Sequence, residues 1–436
     1  MTVGCSPAIK ALPKTGIQAN RLEVFSRKIG HVWANLMVLP FVAELRALLR
    51  EPNNRHLSDG WHSTAARGTR FVPKDTTIEE ESFRASFQGK TKDKRVAENP
   101  RCFDLPTDHQ AEEVLRAYLL PGVPKLTGLG NRGGFSGAGI WRVESEQGDY
   151  CLRRWPAQEP GSNRLRLIHQ AQTRAADAGL TFIPRLARTR FGQTWFVHAG
   201  RYWELSSWMP GCADFWQRPS VPRIEAACAA LARTHLVWSK HSFDVGPCPA
   251  IQRRLQVARS FRLPQSVPSD FFRQVSGKGV DPRFGEQLWQ RAVAVVNCHL
   301  PSVEPMLAPW AERIFPLQFC FCDIWHDHVL FTDDKVTGIV DFGAVKLDHV
   351  AVDLARLLGS MAGDDVFLRQ AGIRAYQELR YLTSEELCLV DLLDRTGTIA
   401  ACANWLHWLA SGERSFADTT AVAQRLEQIV RRIESW

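Results

Sequence analysis

The chain has 436 residues, 45% of them hydrophobic, with a net charge of +8 and 11 cysteines. Such a length holds two or three folded units with substantial cores, and the lack of any apolar run of roughly 18 residues excludes a clear membrane span. The cysteines form no C-x-x-C pair and their number is odd, which argues against a disulfide framework and for reduced thiols in a cytoplasm.

Charge is unevenly spread. Residues 1–100 carry a net of +6, whereas residues 301–400 hold 16 acidic residues against 8 basic ones. Residues 1–106 contain one apolar helical stretch, Val32–Leu49, broken in character by Pro40, Glu44 and Arg46, and then the polar run Pro52–Pro100. They read as a basic, irregular and partly disordered extension. A basic tail can meet nucleic acid or anionic lipid. This one lacks a folded motif and aromatic–basic interleaving, so it reads as solvated, with no clear nucleic-acid or membrane partner.

The folded body begins at Thr107-x-x-Gln110, a capping box opening a helix over Ala111–Leu120. Gly128–Val143, GLGNRGGFSGAGIWRV, follows. Its dense glycine, Gly133 and Gly134 included, either lets backbone N–H groups curl around phosphate oxygens or makes a flexible hairpin. Tyr150–Trp155 reads as a strand whose alternation sends Arg153 and Arg154 to opposite faces, one of them to solvent. Arg164–Ala178 reads as a helix with Leu165, Ile168, Ala171 and Ala175 on one stripe. It carries His169, Gln170 and Gln172 but no glutamate. Strands Thr194–His198 and Arg201–Trp208 meet at Ala199-Gly200 and lead to Pro210-Gly211. The rest is mostly helical: Pro222–Trp238, Phe284–Cys298, Asp365–Tyr376, Ser384–Leu409 and Thr419–Glu434. Within Ser384–Leu409, Trp405 and Trp408 are either core or the wall of a cation-binding pocket.

Between those helices lies Phe321–Ala355, FCDIWHDHVLFTDDKVTGIVDFGAVKLDHVAVDLA. Asp323 heads a loop, Val329–Phe331 leaves as a strand, Thr332–Lys335 turns, and Val336–Val340 returns to Asp341 of a D-F-G turn. A hairpin thus carries one carboxylate at each end. Phosphoryl transfer uses such a pair: one accepts the proton of the attacking hydroxyl, and the other holds the Mg²⁺ that bridges nucleotide phosphates. Asp353 opens the next helix, where it would cap that helix and hold the loop through backbone N–H groups.

The segment resembles H-G-D-x-x-x-x-N-(V/I)-L…(V/I)-D-F-(G/E)…D-L-A of the aminoglycoside phosphotransferase and choline kinase-like family. Asp323, Val329, Leu330, Asp341, Phe342, Gly343, Asp353, Leu354 and Ala355 fall at the family spacing. The resemblance implies an α+β, two-lobed protein-kinase-like fold. Residues 107–209 would form a nucleotide-binding lobe with a small five-stranded antiparallel sheet, and residues 210–436 a mainly helical lobe with the catalytic loop. It implies ATP and Mg²⁺ as cofactors and Asp323 as the catalytic base. Gly133, Gly134 and Ser136 would face the nucleotide phosphates, and Arg153 would stand where kinases carry a phosphate-binding lysine. Backbone groups near Ser207 and Met209 would meet the adenine edge. The acceptor would be a small hydroxyl-bearing molecule such as an aminoglycoside, choline, homoserine or a sugar, and the acidic balance of residues 301–400 suits a cationic one.

Three departures qualify this. Phe321-Cys322 replaces His-Gly, the helix Arg164–Ala178 lacks the bracing glutamate, and His328 stands at the metal-binding asparagine. Asp341 and His328 are the metal positions, with two readings open. Either His328 donates a hydrogen bond to Asp323 or a loop carbonyl and Asp341 holds the metal alone, or imidazole shifts preference towards Mn²⁺ or Zn²⁺. The same departures also fit a catalytically impaired protein that binds nucleotide as a regulatory or scaffold module.

Overall fold

A computed structural model of the chain describes residues 108–130, 137–156, 160–241, 244–264, 282–411, 414, 416 and 418–436. The chain divides after Ala85 into two units, and every described residue belongs to the second. Val32–Leu49, Thr107, Gly133, Gly134 and Ser136 therefore lie outside the described residues.

Helix α1 (Asp108–Leu115) buries Ala111, Val114 and Leu115. It ends five residues before the expected Leu120, because Tyr118 leaves to bridge Thr189. Strands β1 (Lys125–Gly130), β2 (Gly139–Ser145), β3 (Gly148–Arg154), β4 (Phe196–His198) and β5 (Arg201–Ser207) build one antiparallel sheet in the order β1-β2-β3-β5-β4. Strand alternation sends Trp141, Val143, Leu152, Trp203 and Leu205 to one face, where they pack with α1 as a separate small core. Helix α2 (Ser162–Asp177) joins β3 to β4 and buries its Leu165, Ile168, Ala171 and Ala175 stripe in the larger core of the helical lobe.

That lobe starts at α3 (Val221–Ser239). The Ser220 hydroxyl accepts the Arg223 N–H, and Pro222 in the first turn needs no partner for its missing donor. Helices α4 (Pro249–Ser260), α5 (Pro282–Leu307), α6 (Ala351–Met361), α7 (Val366–Gln377), α8 (Ser384–Ser411) and α9 (Thr419–Glu434) complete it. The α5 helix runs nine residues past its expected end at Cys298, through Pro301 and Pro305. Each proline removes a backbone bond, but Leu300, Val303 and Leu307 are buried on the same helix, and packing outweighs the local loss. Trp405 is buried, edge-on to Trp408 at 5.3 Å, so it belongs to the core. No helix among the described residues is long and apolar enough to cross a membrane.

Three short strands were not foreseen among the helices. β6 (Asp244–Pro247), β7 (Ile314–Cys320) and β10 (Lys346–Asp348) form a sheet in the order β10-β7-β6. Pro247, Pro316 and Gly246 hide β6 and β7 from a propensity reading. The β7 strand delivers the Asp323 loop. The expected hairpin is β8 (Val329–Thr332) with β9 (Lys335–Ile339), Asp333 taking a left-handed φ of 54° in its turn.

Candidate active site

Two loops and one strand meet at the mouth between the lobes. The Asp323 loop leaves β7 with Cys322 in a left-handed conformation, φ 61°. It is fixed from below by Asp353, whose wholly buried carboxylate accepts the N–H groups of Phe321 at 2.7 Å and Cys322 at 2.6 Å. Asp353 also accepts from His235 Nε2 at 3.0 Å, which leaves His235 Nδ1 to accept the Tyr376 hydroxyl at 2.7 Å. Burial holds the His235 imidazole below its ordinary pKa despite the carboxylate beside it, consistent with this neutral tautomer. The expected helix cap is not made: α6 starts with Val350 at its N-cap, and Asp353 turns to the loop instead. Phe321 fills the histidine position with a ring packed 4.8 Å from Trp238 and 5.1 Å from Phe342 of the D-F-G turn. One aromatic cluster thus supports both loops.

Asp323 itself is half exposed, and one of its oxygens receives Arg356 Nη2 at 2.9 Å and Nε at 3.1 Å. Asp341 sits at φ 59°. Its Oδ1 accepts the Gly343 N–H at 3.1 Å and Arg153 Nη1 at 3.0 Å. Burial favours the neutral acid, but the Arg153 charge and the Gly343 N–H outweigh it and hold Asp341 at about 2. Gly343 leaves little room for a side chain, since a Cβ there would stand 3.0 Å from Asp341 Oδ1 and 3.3 Å from Arg153 Nη2 and would press on that pair. Strand alternation sends Arg153 into the cleft as expected, stacked 4.1 Å from the Trp155 ring. Arg154 is not solvent-facing, however: it is buried on the other face, 6.0 Å from the Trp203 ring.

The missing glutamate has a counterpart that the sequence did not announce. Glu204 of β5 lies opposite Arg153 in the register and accepts Trp155 Nε1 and His169 Nε2, both at 2.7 Å. Burial opposes its charge, yet the His169 and Trp155 bonds and Arg153 keep it ionised, with a lowered pKa. The helix position therefore carries a histidine and the strand carries the carboxylate. The pair joins a helix residue to a strand residue 35 positions away, so no local pattern shows it.

His328 neither donates to Asp323 nor reaches a loop carbonyl. Its Nε2 lies 2.7 Å from Trp325 Nε1. Indole is only a donor, so His328 Nε2 is the acceptor and its lone pair is occupied, while the buried Nδ1 has no partner. Asp341 Oδ2 is 3.9 Å from the same nitrogen. At this position a divalent ion would find the Asp341 carboxylate, whose Oδ1 is engaged by Arg153 and Gly343 and whose Oδ2 lies 3.9 Å from His328 Nε2. The donor set suits a hard cation that draws its other oxygens from phosphate and water, and does not suit an imidazole-bound one.

At the hinge, the Ser207 N–H goes to Arg185 O and the Trp208 N–H to Asp149 O, both strand-like bonds within the lobe. Ser207 Oγ accepts the Arg185 N–H, and Met209 is buried against Gly338 of β9. Gly211 follows at φ 99°, where a Cβ would strike Thr337 Oγ1 at 2.4 Å and Phe331 O at 2.6 Å. This close approach docks the hinge exit on the β8–β9 hairpin. Two residues next to Asp323 were missed altogether, Arg356 and Arg425. Arg356 directly follows the D-L-A run, and Arg425 lies on the last helix, where only its apolar stripe was legible.

A two-lobed kinase fold with paired loop carboxylates defines a class of small-molecule phosphotransferase. The phosphotransferase enzyme family model matches residues 127–387, more than half of the chain, and the chain belongs to that family. It is 23% identical over 269 residues to a homoserine kinase of Granulibacter bethesdensis, covering 60% of this chain and 75% of that protein. It is 26% identical over 223 residues to a homoserine kinase of Acidiphilium cryptum, covering 50% and 61%. Among solved structures, a spectinomycin phosphotransferase in complex with ADP and spectinomycin superposes with a TM-score of 0.54 at 12% identity, over 75% of this chain and 97% of that one. A microcompartment-associated aminopropanol kinase gives 0.51 at 12% identity, over 75% and 95%. These likenesses establish the fold.

Proposed function

We propose that this protein transfers the γ-phosphoryl group of ATP to a hydroxyl of a small molecule, with Asp323 as the base and Asp341 as the metal-holding carboxylate. The observation that carries this reading is the pair of anchored carboxylates at the two ends of one hairpin. Asp323 is braced through Asp353 and Arg356, and Asp341 is held ionised by Arg153 and Gly343. A bound Mg²⁺ would supply charge neutralisation on the nucleotide phosphates, with Mn²⁺ the alternative ion. Arg153 would exchange part of its contact with Asp341 for phosphate oxygens, a task that suits its planar fork. Asp323, half exposed and facing the acceptor side, would take the hydroxyl proton. Gly133, Gly134 and Ser136 would cover the phosphates, and Ser207 and Met209 would border the adenine. His328 would act by positioning Trp325 beside the loop rather than by ligation.

The second reading, a nucleotide-binding module without turnover, draws on the His328 lone pair being taken by Trp325. ADP formation decides between the two. The full chain with ATP, Mg²⁺ and a panel of homoserine, amino alcohols, choline, aminoglycosides and sugars should release ADP only with an acceptor present. ATP binding without ADP release across the panel would favour the second reading. The acidic sum of residues 301–400 gives little support to a cationic acceptor, because many of those carboxylates are already paired. Asp348 meets Arg253, Glu385 meets Arg313, Glu386 meets Arg380, and Asp391 and Asp394 meet Arg369.

A further inference from the structure

Two guanidiniums, those of Arg356 and Arg425, lie beside the Asp323 loop with donors to spare. Arg356 spends two donors, Nε and Nη2, on one Asp323 oxygen and leaves its remaining edge partly open to solvent. Arg425 reaches the same loop from α9, its Cζ 4.6 Å from the centroid of the Trp325 ring, two residues beyond Asp323. Its hydrogen bond goes to a neutral amide, Gln428 Oε1 at 3.3 Å. Among the described residues no carboxylate lies within ion-pair distance of Arg425. Asp327 of the same loop lies 3.3 Å from His326, whose ring stacks on Trp216 at 4.6 Å and is kept neutral by burial, so the Asp327 charge acts on Arg425 only from beyond ion-pair distance.

From this geometry we propose that the acceptor carries an anionic group beside its reacting hydroxyl, and that Arg356 and Arg425 recognise it. The inference rests on the phosphotransfer reading above and names the substrate class for the same site. A guanidinium is a planar fork matched to a carboxylate or phosphate, and stacking on Trp325 fixes its plane at little entropic cost. Burial first, then the neighbouring Arg356 charge, depresses the Arg425 pKa to about 9 against the pull of Asp323 and Asp327, so it remains a cation at neutral pH. Arg425, half-buried with only a neutral amide hydrogen-bonded to it, gains a close counter-charge when such an acceptor binds. The same pair disfavours a purely cationic acceptor through repulsion, which is how a charged pocket gains specificity. The shared chemistry is an oxyanion, supplied by a hydroxy acid or by a phosphorylated alcohol.

The test uses matched ligands on the full chain with two readouts, ADP formation and saturation-transfer NMR for binding without chemistry. Homoserine and 4-hydroxybutyrate are compared with their amides, with glycerol 3-phosphate as the phosphate arm and choline as the cation. The acids, or the phosphate, should bind and turn over with kcat/KM higher than their neutral counterparts on the order of 10–100-fold, mostly through KM. Arg425→Gln should erase the difference between acid and amide, and Arg425→Lys should restore part of it. The wild-type comparison stands even if a variant fails to fold. Arg425-dependent binding of an anion without ADP formation would keep the oxyanion site and sink the phosphotransfer reading. Turnover of choline or of the amides with no preference for acid or phosphate would overturn the oxyanion site while phosphotransfer stands. Failure of every anion to bind would also overturn it.

Discussion

At the scale of single residues, the site depends on how each charge is held. Glu204 is buried between Trp155 and His169 and faces Arg153 across the β3–β5 register. Glu204→Gln keeps the shape but removes the charge that offsets Arg153. ATP should then bind about 5- to 30-fold more weakly, in line with roughly 1–2 kcal/mol for a partly desolvated charge interaction, while turnover at saturation falls less. Titration of ATP into both proteins checks this, and an unchanged affinity would remove Glu204 from the brace. His328 gives a second case. Because Trp325 already uses its Nε2 lone pair, His328→Asn should leave Mg²⁺-supported activity equal or higher. A wild-type enzyme active with Mn²⁺ but not Mg²⁺, and converted to Mg²⁺ use by that substitution, would show that the imidazole does bind the ion.

At the scale of elements, the loop bearing Asp323 is only as firm as the chain of bonds beneath it. Asp353→Ala would orphan two backbone N–H groups and the His235 donor in a buried place, at a cost of about 3–5 kcal/mol. Tyr376→Phe removes one bond to His235 and should cost about 1–3 kcal/mol. Denaturant unfolding at neutral pH measures both, and equal small effects would mean that the chain of bonds carries little. The same helix-borne histidine sets a pH dependence. Its folded pKa lies below the ordinary value near 6.5, so below that pH the unfolded chain binds a proton that the folded chain resists. Stability should therefore fall as pH drops below about 6.5, and His235→Gln should be less stable at pH 7.5 but flatter towards pH 5. The elements of this site were legible where motif spacing or helical period speaks locally. The β8–β9 hairpin, the two carboxylates, the strands Tyr150–Trp155 and Arg201–Trp208 and the α9 stripe all come from contiguous patterns, whereas the five-stranded sheet followed from the family resemblance. What was not legible depends on non-local pairing: β6 and β7 with their prolines, the Glu204 partner of His169, and Arg425 arriving from the last helix to stack on Trp325. No periodicity in one stretch encodes which residue of a distant stretch will face it.

At the scale of the molecule, the motif residues lie within residues 108–436, where the described residues form two cores, while residues 1–100 carry a net charge of +6. A protein starting near Pro100 should fold and bind nucleotide with little loss. Limited proteolysis of the full chain should cut first within Pro52–Pro100 and leave a stable fragment of roughly 330 residues, since exposed polar linkers are cut first. Protection of the N-terminal region, or aggregation of the shortened protein, would show that the Val32–Leu49 segment belongs to the folded body. Within that body, Asp323 is proposed to take the acceptor proton during transfer from ATP. The most direct test of this role is the single-turnover rate of phosphoryl transfer to the best acceptor in wild type and in Asp323→Asn, with ATP affinity measured alongside. The expected rate is lower by on the order of 10²–10⁴ with ATP affinity unchanged, the range for a positioned general base. An Asp323→Asn protein that transfers phosphate at the wild-type rate would contradict that role.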